Sequence, residues 1–193
     1  MSSLVGLRTA VFACAALLLF GEQGWSQKVT TFEAQGGNGG DPFSVICPGG
    51  SYLRGIAGRA GNIIEKMHLI CQGFGYAVAD GEFRSSGNMF DHGAWLGAGQ
   101  GGGDTRAECQ SGTFVQGILF NTLVFNNIPV ISHIQMDCGS LRHRLSDVKT
   151  FGRNAGNHFH HECDQGFFVV GLVGRAGLYV DAIGAVCAEM LPQ

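Results

Sequence analysis

The sequence predicts an all-β domain in which three related antiparallel sheets close around a common axis. Three observations carry this. Cysteines bound three copies of one repeat, glycines recur at fixed offsets inside the copies, and apolar residues alternate with period two between them. Glycine is the compositional outlier, with 32 residues against four prolines. Interleaved with Val, Ile and Phe, it marks many short strands joined by tight turns.

The N-terminus is set aside first. Arg8 precedes an apolar run from Thr9 to Phe20, and small residues at Gly24 and Ser26 are spaced for cleavage before Gln27. Residues 1–26 therefore read as a signal peptide. The run is short for a membrane span, which leaves an uncleaved anchor as the lesser alternative. No later stretch is apolar enough to cross a bilayer, so no membrane insertion is expected. The expected product is a secreted, extracellular single domain, residues 27–193. Its formal charge of −3 argues against a nucleic-acid partner, which needs a concentrated basic surface.

Cys14 leaves with the leader. Cys47, Cys71, Cys109, Cys138, Cys163 and Cys187 remain, an even set that suits a disulfide framework in a secreted chain. The first and third pairs each stand 24 positions apart. Both copies place glycine at the same four offsets: Gly50, Gly55, Gly58 and Gly61, then Gly166, Gly171, Gly174 and Gly177. Gly-Arg-Ala precedes the last glycine in each. The middle copy keeps Gly112 and Gly117, then carries five extra residues and loses that turn. Such insertions between strands are tolerated.

Within each copy the alternation defines an inward face. Leu53, Val115 and Val169 match on the incoming strand, as do Ile56, Ile118 and Leu172. Met67 and Leu69, Ile134 and Met136, and Ile183 and Ala185 match on the outgoing strand. In the middle copy His133, Gln135 and Asp137 fall on the opposite, polar face. Each copy is thus a hairpin. The simplest disulfide pairing lies within copies, Cys47–Cys71, Cys109–Cys138 and Cys163–Cys187, because cross-copy pairing leaves the equal spacing unexplained.

A second element precedes each hairpin. Glycine recurs seven positions before the opening cysteine, at Gly40, Gly102 and Gly156, with Phe43, Thr105 and Phe159 three positions later. The repeats then run over about 27–71, 95–138 and 147–187. One such sheet cannot bury its own apolar face; three sharing an axis can. A three-sided prism with pseudo-threefold symmetry follows.

Two segments carry a family resemblance. GLVGRAGLYVDAIG, Gly171 to Gly184, resembles the C-terminal segment of jacalin-related lectins, and QGGNGGDPF, Gln35 to Phe43, resembles their N-terminal glycine loop. The resemblance implies a β-prism of three antiparallel Greek-key sheets. The cysteine framework departs from the plant lectins and resembles that of the vitelline membrane outer layer protein family, also a β-prism. The acidic-Thr-Ala-Leu-Asn stretch usual there is absent.

The lectin resemblance implies a sugar site joining the glycine loop to a Gly-x-x-x-Asp loop. Here these are Gly40 and the run Gly177, Leu178, Tyr179, Val180, Asp181. The chemistry suits sugar hydroxyls. A carboxylate accepts from two adjacent hydroxyls, glycine lets backbone approach the ring, and Tyr179 offers an aromatic face. No metal or other cofactor is needed. The alternative is structural: glycines that turn the chain and an aspartate that caps a turn.

Pseudo-symmetry extends the reading. A second, weaker site would bring Asn62, Ile63 and Glu65 beside Gly102, with Glu65 in the place of Asp181. The third candidate junction, on the middle copy, has Ser132 at that position and is not expected to bind sugar this way. His158 and His160 share a strand face, but no second ligand cluster stands at matching spacing, so no metal site is expected. Arg59 and Arg175 read as structural arginines bonding loop carbonyls.

The leading expectation is a secreted, metal-independent lectin whose partners are glycans or glycoproteins of mannose or galactose type. Nothing resembles a catalytic triad or a carboxylate pair, so no enzyme is expected. A homo-oligomer is compatible with the sequence. The alternative function is a structural extracellular or egg-coat-type matrix protein without a dedicated sugar site.

Overall fold

The computed structural model describes residues 27–77 and 82–190. The expected signal peptide lies outside the described residues. The chain enters through three short strands, β1 (Val29–Thr31), β2 (Gln35–Gly36) and β3 (Asp41–Ile46). The first hairpin follows, β4 (Ser51–Ala60) and β5 (Ile64–Ala77), then β6 (Glu82–Leu96) and β7 (Gly103–Glu108). The second hairpin is β8 (Phe114–Phe125) and β9 (Ile128–Gly139), followed by β10 (Asp147–Gly152) and β11 (Asn157–Glu162). The last hairpin is β12 (Phe167–Ala176) and β13 (Val180–Glu189).

Three antiparallel sheets result, ordered β6-β5-β4-β7, β10-β9-β8-β11 and β1-β13-β12-β3, with β2 also on β13. The first two are Greek keys in which the fourth strand returns beside the first. The third is completed by both ends of the chain. Each sheet combines a cysteine-closed hairpin with the strands that follow it, whereas the sequence groups each hairpin with the glycine strands that precede it. The sheets are therefore displaced by half a unit from the sequence repeats. That displacement carries the first glycine loop, between β2 and β3, to the hairpin at the other end of the chain.

Each hairpin bulges at the same place. Its register slips between Leu53 and Gly55, between Val115 and Gly117, and between Val169 and Gly171. The bulged carbonyls of Arg54, Gln116 and Val170 accept from the N–H of Cys109 at 2.8 Å, Cys163 at 2.9 Å and Cys47 at 2.7 Å. Each sheet is thus tied to the next cysteine around the axis. The glycine after the bulge is a packing requirement: a Cβ on Gly55 or Gly171 would lie 2.3 Å from a carbonyl of the neighbouring edge strand.

The matched apolar positions all face the axis. Leu53, Val115, Val169, Ile56, Ile118 and Leu172 are buried, as are Met67, Leu69, Ile134, Met136, Ile183 and Ala185. Disulfides Cys47–Cys71, Cys109–Cys138 and Cys163–Cys187 join this core. At the far end of the incoming strands, Tyr52, Phe114 and Phe168 meet pairwise edge to face, with centroids 5.9–6.3 Å apart. This is the favoured geometry for aromatic quadrupoles. His133 departs from the polar face assigned to it. It is buried, and burial pushes its pKa below the ordinary histidine value.

Candidate functional site

The hairpin tips and glycine loops gather at the end of the prism opposite the aromatic cluster. Gly40 sits in left-handed backbone at φ 60°, and a Cβ there would lie 2.3 Å from the Ala176 carbonyl carbon and 2.4 Å from the Gly177 nitrogen. Only glycine allows this backbone-on-backbone approach. Arg175 locks it: Nε donates to the Gly39 carbonyl at 2.9 Å and Nη2 to the Gly40 carbonyl at 2.6 Å. On the other side of the loop the Gly37 N–H donates to the Asp181 carbonyl at 2.8 Å.

Asp181 lies beneath this junction. Its side chain is 4% exposed, and Oδ2 has no hydrogen-bond partner. Oδ1 is walled by Gly39, where a Cβ would stand 2.7 Å away. Burial raises the carboxyl pKa above the ordinary value, opposed by the Gly177 N–H and the Arg175 guanidinium. A buried carboxylate oxygen without a donor is costly, and a ligand hydroxyl is the kind of group that would satisfy it.

The structure therefore brings Gly40, Gly177 and Asp181 together, and the exposed Leu178 and half-buried Tyr179 form the tip above them. The Leu178 side chain projects to solvent while its carbonyl accepts from Ala98 at 3.1 Å and Gly99 at 2.8 Å in the second glycine loop. The Tyr179 ring meets Phe125 edge-on at 5.6 Å. Phe125 belongs to the lengthened middle hairpin, whose Asn126–Asn127 turn has both residues at positive φ. That arm also reaches the first glycine loop, where a Cβ on Gly37 would lie 2.1 Å from the Pro129 carbonyl oxygen. Sequence reasoning missed Gly39, Phe125 and Pro129. The signals were the doubled glycine at 39–40 and the five extra residues of the middle copy.

The pseudo-equivalent junction is also assembled. Arg59 donates to the carbonyls of Gly101 at 3.1 Å and Gly102 at 2.8 Å, as Arg175 does to Gly39 and Gly40. The Glu65 carboxylate packs against Gly99 and Gly101, where added Cβ atoms would stand 2.1 and 2.4 Å from its oxygens. Its extra methylene carries it onto the glycine loop. Ile63, at the same hairpin tip, is buried, and its carbonyl accepts from the Gly61 N–H at 3.0 Å. Asn62 is exposed and accepts from Arg153 Nη1 at 2.8 Å, which ties this tip to the third glycine loop. In the third junction Ser132 is buried and donates to the Ala155 carbonyl at 2.6 Å, so no carboxylate is present.

The histidine segment splits by strand alternation. His158 and His160 are exposed, whereas His161 turns inward, stacks on Phe32 at 4.7 Å and accepts from the Ala185 N–H at 3.2 Å through Nδ1. Among the described residues no three His, Cys, Asp or Glu side chains converge as metal ligands.

Greek-key sheets around a pseudo-threefold axis, closed by the two ends of the chain, define a β-prism. Over residues 69–186 the sequence matches the family model described as a jacalin-like lectin domain. The chain belongs to the jacalin-like lectin family. Its fold is similar to that of a Malaysian banana lectin, at 18% identity and TM-score 0.57, covering 86% of this chain and 100% of that one. It is also similar to frutapin, a lectin from Artocarpus incisa, at 22% identity and TM-score 0.58, covering 84% and 99%. A third similar structure is AcmJRL, a mannose-binding jacalin-related lectin from Ananas comosus, at 21% identity and TM-score 0.56, covering 86% and 99%. No curated protein matches the sequence.

Proposed function

We propose that this protein is a secreted lectin that binds glycans, without a metal, at the junction of its first glycine loop and its last hairpin tip. The observation that carries the reading is Asp181: a buried carboxylate with an unpartnered oxygen, set between Gly39, Gly40 and Gly177. Adjacent sugar hydroxyls are donors of the kind it lacks, and glycine at position 39 keeps a Cβ from standing against the carboxylate. Leu178 and Tyr179 form the rim. Family membership supports a binding protein rather than an enzyme. The names of similar structures, one described as a lectin with mannose specificity, favour mannose-type ligands over galactose-type ones.

The Glu65 junction is a weaker second site in this reading, because its longer side chain already fills the space against Gly99 and Gly101. The test is a glycan panel read with the parent protein and Asp181→Ala, with and without a chelator. Binding that is chelator-resistant and lost in the variant is expected. No binding by the parent, or equal binding by both, would instead favour a matrix role for the disulfide-closed prism.

A further inference from the structure

A hollow of about 310 Å³ lies on the flank of the prism, on the outward face of the first sheet. Strand alternation puts it there. Ile56 and Leu69 face the axis, so Ala57 and its cross-strand partners His68 and Arg106 face out. The small residues Ala57 and Gly58 leave room above β4, and Trp95 from β6 with Asp104, Thr105 and Arg106 from β7 line the rest. The volume is at the lower end of small-molecule sites, about 300–1,000 Å³.

Its lining is both exposed and fixed. Trp95 is 51% exposed, high for a side chain that is mostly covered on average. The Lys66 ammonium lies 4.7 Å from its ring centroid, and His68 meets it in a T-shaped contact at 4.3 Å. An indole held this way is a pre-organised platform for a flat apolar face. The Asp104 side chain is 86% exposed, yet Arg59 holds it at 3.0 Å. The half-exposed Arg106 is held by Asp91 at 3.0 Å and by Glu108. A carboxylate acceptor and a guanidinium donor two residues apart on one strand, beside an aromatic ring, match the hydroxyls and C–H face of a pyranose. The charges around the hollow balance: Arg59, Lys66 and Arg106 stand against Asp91, Asp104 and Glu108. That balance suits a neutral ligand rather than an ion.

We propose that this flank is a separate glycan site, which takes residues of a neutral β-linked chain of glucose type through Trp95, Asp104 and Arg106. An all-equatorial pyranose keeps its hydroxyls at the rim and its C–H groups on the two faces, which is the shape an indole stacks on. The site stands apart from the Asp181 junction and does not depend on it. With both occupied, one prism holds two different glycans on different faces, and a single chain bridges them without oligomerising.

The test uses two probes in calorimetry, cellotetraose for the flank and α-linked mannotriose for the Asp181 junction. Trp95→Ala should weaken cellotetraose about tenfold, the factor expected of one good stacking contact, and leave mannotriose unchanged. Trp95→Phe should keep part of the affinity, and Asp104→Ala should lose about fivefold through the missing acceptor. These two milder variants keep the test informative if Trp95→Ala does not fold. Asp181→Ala and Glu65→Ala should bind cellotetraose as the parent does. Fluorescence gives a second readout. The chain has two tryptophans, Trp25 and Trp95, so in a Trp25→Phe background the emission reports the flank alone. Cellotetraose should shift it and mannotriose should not. Undiminished cellotetraose binding in the Trp95 and Asp104 variants, or its loss in Asp181→Ala, would overturn the flank site. A parent that binds mannotriose and not cellotetraose would overturn the flank site and leave the junction reading intact; the reverse would overturn the junction reading alone.

Discussion

Arg175 reaches across 135 residues of chain to hold the Gly40 carbonyl at 2.6 Å. Its Nε takes the Gly39 carbonyl at the same time, and Arg59 does the same to Gly101 and Gly102. The fork matters more than the charge. Two carbonyls one residue apart match a planar guanidinium, and the paired bonds fix the loop that walls Asp181. Arg175→Ala is expected to weaken sugar binding by about tenfold or more through lost loop positioning. Arg175→Lys should rescue little, because an ammonium cannot reproduce the fork. Calorimetry against the same glycan, with a thermal melt to confirm a folded prism, checks this.

Asp181 sets function against stability. Its folded-state pKa is raised by burial, so the folded protein holds this proton more tightly than the unfolded chain does. The sign follows from linkage. At pH below the ordinary carboxylate value both states are protonated and the residue is neutral in its effect. As pH rises through the unfolded and then the folded pKa, the unfolded chain releases its proton first and stability falls. Asp181→Asn should therefore raise the melting temperature at pH 7, with the gain disappearing near pH 3, while sugar binding is lost. Paired melts at the two pH values test it; an equal gain at both would show that the charge is not its source.

The cysteine-to-cysteine ruler made most of the prism legible. Offsets from the opening cysteine fix which face each residue takes, and every matched core position is buried accordingly. Counted back from the closing cysteine, Glu65, Ser132 and Asp181 also align, which the junctions reproduce. Three things were not legible. The bulge at Arg54, Gln116 and Val170 has no shared side chain, since a backbone carbonyl does its work. The extra residues of the middle hairpin announce a longer arm without its direction, so Phe125 and Pro129 could not be placed beside Tyr179 and Gly37. His133 occupies a polar alternate position and is nevertheless covered, because an exposed-face assignment assumes solvent on that side.

The glycine positions divide into two kinds that a substitution separates. Gly166 has φ 82° with no atom within 4 Å of an added Cβ, whereas Gly40 combines φ 60° with backbone at 2.3 Å. Gly166→Ala should cost only the left-handed penalty, about 1–2 kcal/mol. Gly40→Ala must also push the loop off Ala176 and Gly177, so it should cost more and abolish sugar binding. Denaturant melts of the two variants measure the difference, and comparable losses would mean that the close approach is not needed.

The disulfides give the last prediction. Cys71 and Cys138 are fully buried, Cys187 is 1% exposed, and their partners are at most 5% exposed, all within the apolar core. A reductant acts by thiolate attack on sulfur, which requires access. Access here requires opening of the prism, so reduction should be limited by unfolding rather than by reductant concentration. The native protein is expected to resist millimolar dithiothreitol in buffer and to be reduced once urea unfolds it, the three bonds going together. Replacing both Cys109 and Cys138 by Ala opens a loop closed over 29 positions, worth about 3.6 kcal/mol in the chain-entropy model. That variant should still fold as a prism, because the bulge carbonyls and the core layers remain. It should show a lower denaturant midpoint with an unchanged pattern of glycan binding. Mass spectrometry after alkylation, across a urea series, separates unfolding-limited reduction from direct attack: direct attack would label one pair in native buffer.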